Sequence, residues 1–462
     1  MLAFVLAGLA GMPASVAPSP IPPGQVVEKI HALEDSTQSY AVYLPSSYAR
    51  DRDWPILYLL DARGRALVPL ERFREAAETL GFILASSHDS QSDRAYEPEF
   101  EVVRTLWRDT HRRFAIDDRR VYVAGFSGEA RLACLMADAA PGSIAGIIAC
   151  GAGFSPDSPP RKGMTFLFYG LVGTTDFNHD ELVGLDATLD ELEILHRVEI
   201  FDGGHAWPPT EYCAEALEWM ELRAMVDGRR PRDEDFIDTQ LAREIEKARA
   251  AEDEGRVHAA YRRYRAAAQD FRDLRDVSGI KERVLALGQS RELEKYIEER
   301  EKRMREAAEY RKQAERIFAQ MSHEGSRSLP RAISDLRIQS LKKQAESADD
   351  REDRLSAQRK LESVFVQAAF YVPRTLLERE EYGRAIWSLS VAREIKPESP
   401  FVWYSLSRAY ARAGRKKDAL RSLEKSVELG VTDWQQIESD PDLDTLKETK
   451  EFQRLLQGLR TE

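Results

Sequence analysis

The stretch RRVYVAGFSGEARLACLMADAA, residues 119–140, decides the fold. An apolar run, Val121 to Ala124, leads into Gly125-Phe126-Ser127-Gly128-Glu129, and a segment of helical character follows. Strand, glycine-flanked serine, helix is the context in which Gly-x-Ser reads as a nucleophile elbow. On such a turn the serine Oγ stands exposed at the carboxyl edge of a sheet. The Gly128 N–H, at the start of the helix, then faces any anionic intermediate formed there. A full elbow reads Gly-x-Ser-x-Gly, and here Glu129 takes the last place.

Working outward, residues 25–225 alternate short apolar runs with amphipathic ones. SYAVYLP (39–45), WPILYLLD (54–61), GFILASS (81–87), IAGIIACGAG (144–153), TFLFYGLVG (165–173) and HRVEIFDGG (196–204) join RRVYVAGF as expected strands. The later runs are apolar on both faces, as buried parallel strands are. LERFREAAETLG (70–81), EVVRTLWRDTHRRF (101–114) and ARLACLMADAA (130–140) are expected helices. This alternation predicts an α/β fold, a mostly parallel sheet covered on both sides, with SYAVYLP antiparallel at one edge.

A serine at its ordinary pKa is a weak nucleophile. It needs an imidazole to take its proton and a carboxylate to hold that imidazole in the right tautomer. TFLFYGLVG is followed by Thr174-Thr175-Asp176, and HRVEIFDGG by His205. The order Ser, Asp, His suits this architecture, and each residue stands just past a strand's carboxyl end. Asp180 and Asp202 are alternatives for the acid, and His179 reads as a neighbour rather than the base. The second oxyanion donor is expected from backbone N–H groups at Ala62 or Arg63, after WPILYLLD. His88, Phe126, Glu129 and Trp207 are candidate pocket residues. The histidine and carboxylate spacing supports no metal site, and no cofactor is expected. The three cysteines, at 134, 150 and 213, form no CxxC pair and read as buried small hydrophobes.

SYAVYLPSSY, PILYLLDARGR, RVYVAGFSGEAR, GTTDFN and FDGGHAWPP, in that order, resemble an α/β-hydrolase of the bacterial esterase and polyhydroxyalkanoate-depolymerase-like branch. The resemblance implies Ser127 as nucleophile, Asp176 as orienting acid and His205 as base. Members of that branch commonly read Gly-Phe-Ser-Gly-Gly-Ala-Arg, so Glu129 is a departure. The reaction class implied is ester hydrolysis, on a small molecule or polymer fragment. Two other readings stand beside it: a small-substrate peptidase, and a catalytically silent scaffold, which the glutamate would favour.

After about residue 230 the pattern changes. Residues 231–364 are densely charged and helical, with coiled-coil character but no clean heptad. Residues 365–462 carry a repeat: Ala385 and Ala419, Leu389 and Leu423, Glu380 and Gly414 are each 34 apart. SPFVWYSLSRAYARAGRKKDALRSLEKSVELG resembles a tetratricopeptide repeat, and an α-solenoid that binds a protein partner is implied. The expected domains are an N-terminal segment (1–24), the hydrolase domain (25–230), the charged helices (231–364) and the repeats with their cap (365–462).

The first residues, MLAFVLAGLAGMPASVAPSPIPPG, read as a signal-like apolar run and cleavage zone, though no Lys or Arg precedes the run. Export is the expectation, with a start codon upstream as the explanation for the missing charge and a cytoplasmic site if the segment is not a signal. No stable membrane span is expected. The net charge of −12 argues against a nucleic-acid surface, which must neutralise phosphates.

Overall fold

The computed structural model describes residues 21–92, 96–324 and 328–461. The signal-like run lies mostly outside them. Two compact units part between Arg300 and Glu301.

The first unit is built on an eight-stranded sheet in the order β1-β2-β4-β3-β5-β6-β7-β8. The strands are β1 (Val26–His31), β2 (Ser39–Tyr43), β3 (Trp54–Leu60), β4 (Ile83–Ser87), β5 (Ile116–Phe126), β6 (Gly146–Cys150), β7 (Leu167–Gly173) and β8 (His196–Phe201). β2 pairs antiparallel with β1 and β4, and the other pairings are parallel. The expected edge strand SYAVYLP is therefore second in the sheet. The true edge, VVEKIH, has only a half-buried, broken apolar pattern and gives a weak sequence signal.

Successive residues of β3 alternate between two apolar layers, which is why its sequence is apolar throughout. Ile56, Tyr58 and Leu60 face Val103, Leu106 and Trp107 of α2 (Tyr96–Arg113) and the apolar side of α3 (Gly128–Ala139). Leu57 and Leu59 share the opposite layer with Leu70 and Phe73 of α1 (Leu67–Leu80) and Leu217 of α5 (Thr210–Val226). Cys134, Cys150 and Cys213 are buried and free. The fold is α/β-hydrolase-like.

The unit continues past residue 230. Leu222 and Met225 of α5 pack with Ile237 of α6 (Glu234–Asp253) and with Ala267 and Phe271 at the end of α7 (Val257–Asp270). α7 also covers the β8 edge, which would otherwise offer unpaired backbone groups to another chain. Arg262 donates to the Val198 carbonyl. The buried Arg197 of β8 meets Asp270 at 2.7 Å and Glu244 at 3.2 Å. α4 (His179–Glu191) meets α7 through ion pairs. Its Asp186 takes a 3.3 Å ion pair from His196, whose other ring nitrogen faces the Ile194 carbonyl at 2.7 Å. Arg265 of α7 pairs with both Asp186 and Asp190.

The second unit is all helical. Its C-terminal part runs through α8 (Val372–Glu378), α9 (Tyr382–Ile395), α10 (Pro400–Arg412) and α11 (Lys416–Glu428). Ala385 and Ala419 are both fully buried, as are Leu389 and Leu423. The turn before α9 places Glu380 at φ 60°, and the turn before α11 places Gly414 at φ 73°. The two positions thus share one left-handed conformation, 34 residues apart. Among the described residues no helix is long and apolar enough to cross a membrane.

Two predictions follow from this packing. A left-handed residue other than glycine costs about 1–2 kcal/mol, so Glu380→Gly should raise the chain's stability by about 0.5–1 kcal/mol in urea unfolding, once glycine's own entropy is deducted. The second concerns His196. Burial opposes its charge, but the Asp186 and Ile194 hydrogen bonds and the Asp190 carboxylate outweigh this and raise its pKa. Asp186 is held down at about 2, because His196, Arg262 and Arg265 outweigh its own burial. A raised histidine pKa stabilises the folded state fully below the unfolded value near 6.5 and is lost as pH rises through the folded value. The thermal midpoint should therefore fall more steeply between about pH 6 and 8 in the wild type than in His196→Gln. Parallel pH curves would show the pair contributes nothing.

Candidate active site

β3, β5, β6, β7 and β8 all end at one edge of the sheet, and the loops after them meet there. Ser127 follows β5 with φ 60° and ψ −121°, outside the regions that L-residues favour. The turn closes because Gly125 has no side chain: a Cβ there would stand 2.3 Å from the Glu129 carbonyl oxygen. Gly128 makes room for the loop after β4, since its Cβ would stand 2.4 Å from the Ser92 Cβ. The Ser127 N–H donates to the Cys150 carbonyl at 2.8 Å, fixing the turn against the end of β6.

The loops after β7 and β8 are laced together. Thr174 N–H donates to the Phe201 carbonyl and Thr175 N–H to the Gly203 carbonyl, each at 2.9 Å. Gly173 allows this, because a Cβ there would lie 2.4 Å from the Gly203 oxygen. The lacing brings Asp176 and His205 together. His205 Nδ1 lies 2.9 Å from Asp176 Oδ2 and 3.0 Å from Oδ1. Its Nε2 lies 3.0 Å from Ser127 Oγ. In the working tautomer Nδ1–H donates to the carboxylate and Nε2 accepts from the serine hydroxyl. The Asp176 side chain is wholly buried and also accepts from the Asn178 N–H at 2.8 Å.

The alternative acids are occupied elsewhere. Asp180 pairs with His179, and Asp202 accepts from Thr174. His179 donates its backbone N–H to the Asp176 carbonyl, which makes it a neighbour of the acid. His88 follows β4, but its Nε2 is bound to the Glu28 carbonyl of β1 at 2.8 Å, not to the triad. Arg63 is a correction: its N–H donates to Asp61 Oδ1 at 2.9 Å and is not available to an oxyanion. The Ala62 and Gly128 N–H groups have no acceptor among the described residues. Ser92 touches both positions, donating its N–H to the Ala62 carbonyl at 3.1 Å beside Gly128.

Phe126 and Trp207 form packed walls. The Phe126 ring lies 4.7 Å from the His205 ring and 5.6 Å from Trp207. Phe177, which sequence reasoning passed over, lies 4.3 Å from the His205 ring. Gly151 was also missed. A Cβ there would come within 3.1 Å of His205 Cε1 and 3.2 Å of Asp176 Oδ2. Its only sequence signal is a glycine directly after the apolar run of β6. Glu129 is buried in the first turn of α3, where the positive end of the helix favours a carboxylate. Asp186, Asp190 and His196 converge closely enough to hold an ion, but Arg265 already pairs with both carboxylates.

No family model matches the chain, and no curated protein does. Solved structures do. The substrate-bound FphF, a fluorophosphonate-binding serine hydrolase of Staphylococcus aureus, is 15% identical, with a TM-score of 0.35, over 43% of this chain and 98% of that one. S-formylglutathione hydrolase from the same organism is 14% identical, with a TM-score of 0.35, over 44% and 98%. An inhibited esterase B from Lactobacillus rhamnosis is 12% identical, with a TM-score of 0.36, over 46% and 91%.

The elbow makes a direct prediction. Gly125→Ala must push the Glu129 backbone away and tilt Ser127. A displacement near 1 Å should lower kcat/KM on an aryl ester by about 100-fold in protein that circular dichroism shows to be folded. Wild-type turnover in that variant would contradict the account of the turn. With nucleophile, base and acid in hydrogen-bond contact at the strand ends, the chain carries the assembled triad of a serine hydrolase.

Proposed function

We propose that this chain cleaves carboxylic esters through an acyl-enzyme. The observation that carries the reading is His205, bonded on one side to Ser127 Oγ and on the other to Asp176. Ser127 Oγ attacks the ester carbonyl carbon as its proton passes to His205 Nε2. The carbonyl oxygen becomes an oxyanion, met by the Gly128 and Ala62 N–H groups. His205 returns the proton to the alkoxide oxygen, the alcohol leaves, and the acyl group stays on Ser127. Water, deprotonated by His205, then attacks the acyl carbon; the adduct expels Ser127 Oγ, which takes the proton back from His205, and the acid is free to leave. Asp176 holds the imidazole and stabilises its charge throughout.

The substrate class is a short acyl ester, a polymer-derived ester or an acylated sugar, in keeping with the bacterial esterase and depolymerase-like motifs. Glu129 would favour the silent-scaffold reading, by crowding the elbow or by bringing negative charge near the oxyanion; the triad distances with that glutamate in place support catalysis instead. The shared turn conformation at Glu380 and Gly414 supports reading residues 365–462 as tetratricopeptide-like repeats that bind a protein partner. The apolar and Pro-rich N-terminal segment supports export.

The test is hydrolysis of a panel of p-nitrophenyl acyl esters. The wild type should show a burst of one nitrophenolate per chain and then steady turnover. Ser127→Ala should lose about 10⁴-fold or more in kcat while keeping its fold. A variant that retains wild-type turnover would exclude the triad as the source of activity.

A further inference from the structure

We infer that Asp61 is a positioning residue for this reaction: its carboxylate clamps the loop carrying the Ala62 oxyanion donor to the loop carrying His205. The inference rests on the serine-hydrolase reading of Ser127.

Asp61 directly follows β3, and its side chain is wholly buried. Oδ1 accepts from Arg63 N at 2.9 Å, Arg65 N at 3.1 Å and Arg65 Nε at 2.9 Å. Oδ2 accepts from Arg65 Nη2 at 2.8 Å and Trp207 Nε1 at 2.7 Å. Four of these bonds wrap residues 61–65 around the carboxylate. They hold the groups on both sides of Ala62 and leave the Ala62 N–H itself uncommitted. The Asp61 carbonyl is fixed as well, by Ser90 Oγ at 2.9 Å.

The fifth bond reaches across the sheet edge. Trp207 stands two residues past His205, and its buried ring packs against Phe126, the residue before Ser127. Phe126 in turn packs on the His205 ring. One carboxylate therefore joins the oxyanion loop, the base loop and the wall behind the base. Only an anion fits its surroundings. An asparagine offers one accepting oxygen, and its NH₂ would face either Trp207 Nε1–H or the Arg65 guanidinium. Burial alone pushes the Asp61 pKa up, but hydrogen bonds from Arg65 and Trp207 outweigh this and hold it below the usual carboxylate range. The clamp thus stays charged where a serine hydrolase works.

A loosened Ala62 loop leaves substrate binding in place and weakens contact with the oxyanion. Removing an oxyanion donor outright costs about 10²–10³ in kcat, and a displaced one costs less. The experiment uses the full chain as wild type, Asp61→Asn, Trp207→Phe and the double variant, with kcat expressed per site titrated by acylation. In Asp61→Asn, kcat for p-nitrophenyl butyrate should fall about 10- to 100-fold with KM within about twofold. The inhibition constant of phenylboronic acid, whose serine adduct carries an oxyanion mimic, should rise by a similar factor. Trp207→Phe should show the same split more weakly, and the double variant should be no worse than Asp61→Asn, since both break one clamp.

Unchanged kcat and boronate affinity per titrated site in Asp61→Asn would overturn the inference, as would additive losses in the double variant. Should Asp61→Asn fail to fold, Trp207→Phe decides alone: unchanged kcat overturns the clamp, and a kcat loss without a KM change supports it. A wild type that neither turns over esters nor acylates at Ser127 overturns the serine-hydrolase reading, and the clamp falls with it. An active wild type beside unaffected variants overturns the clamp only.

Discussion

The site depends on one backbone constraint. The chain reverses from β5 into α3 so sharply that Ser127 is forced to φ 60°, a conformation that costs a non-glycine residue of order 1–3 kcal/mol. Gly125 makes the reversal sterically possible, and Gly128 makes room for the loop after β4 beside it. Gly125 lets the Glu129 carbonyl approach, and Gly128 lets Ser92 approach. The Ser127 N–H bond to β6 and the buried face of α3 hold the strained residue in place. In return Oγ stands clear of the sheet edge, in reach of an imidazole delivered by the loop after β8, three strands along the sheet.

Everything else at that edge answers to the same geometry. The β7 and β8 loops are laced by backbone bonds, so that Asp176 and His205 arrive as one rigid pair. Phe126 and Phe177 pack on the imidazole and keep its ring where both nitrogens find partners. The β8 edge that carries His205 is itself covered by α7. There the Arg197 ion pairs with Glu244 and Asp270 are buried, so breaking one would leave a charge without compensation. The charged helices after residue 230 thus contribute to the frame behind the base. A share of their charge faces inward, as Glu244 and Asp270 do against Arg197.

The parts that were legible from sequence are those with a strong period or a local motif. The buried parallel strands announced themselves as continuous apolar runs, and Ser127, Asp176 and His205 each stood just past such a run. The edge strand Val26–His31 was missed because its residues are half-buried or exposed on both faces and a register shift between Val27 and Ile30 breaks the alternation. Asp61 carries no role that its own stretch of sequence reveals. Its importance comes from Trp207, 146 positions away, and no local pattern encodes that distance. Arg63 was a reasonable oxyanion donor by position, but sequence does not tell which amide a neighbouring carboxylate takes. Gly151 and Phe177 were passed over for the same reason: each matters through contact with a side chain from another loop.

The most direct measurement is covalent capture of the nucleophile. Purified protein is incubated with a fluorophosphonate, digested, and the modified peptide identified by mass spectrometry. One phosphonyl group per chain should be found on Ser127, formed at least about 100-fold faster than in Asp176→Asn, where the imidazole loses its orienting carboxylate. Folded protein that remains unmodified, or that is modified at a different serine, would contradict the account.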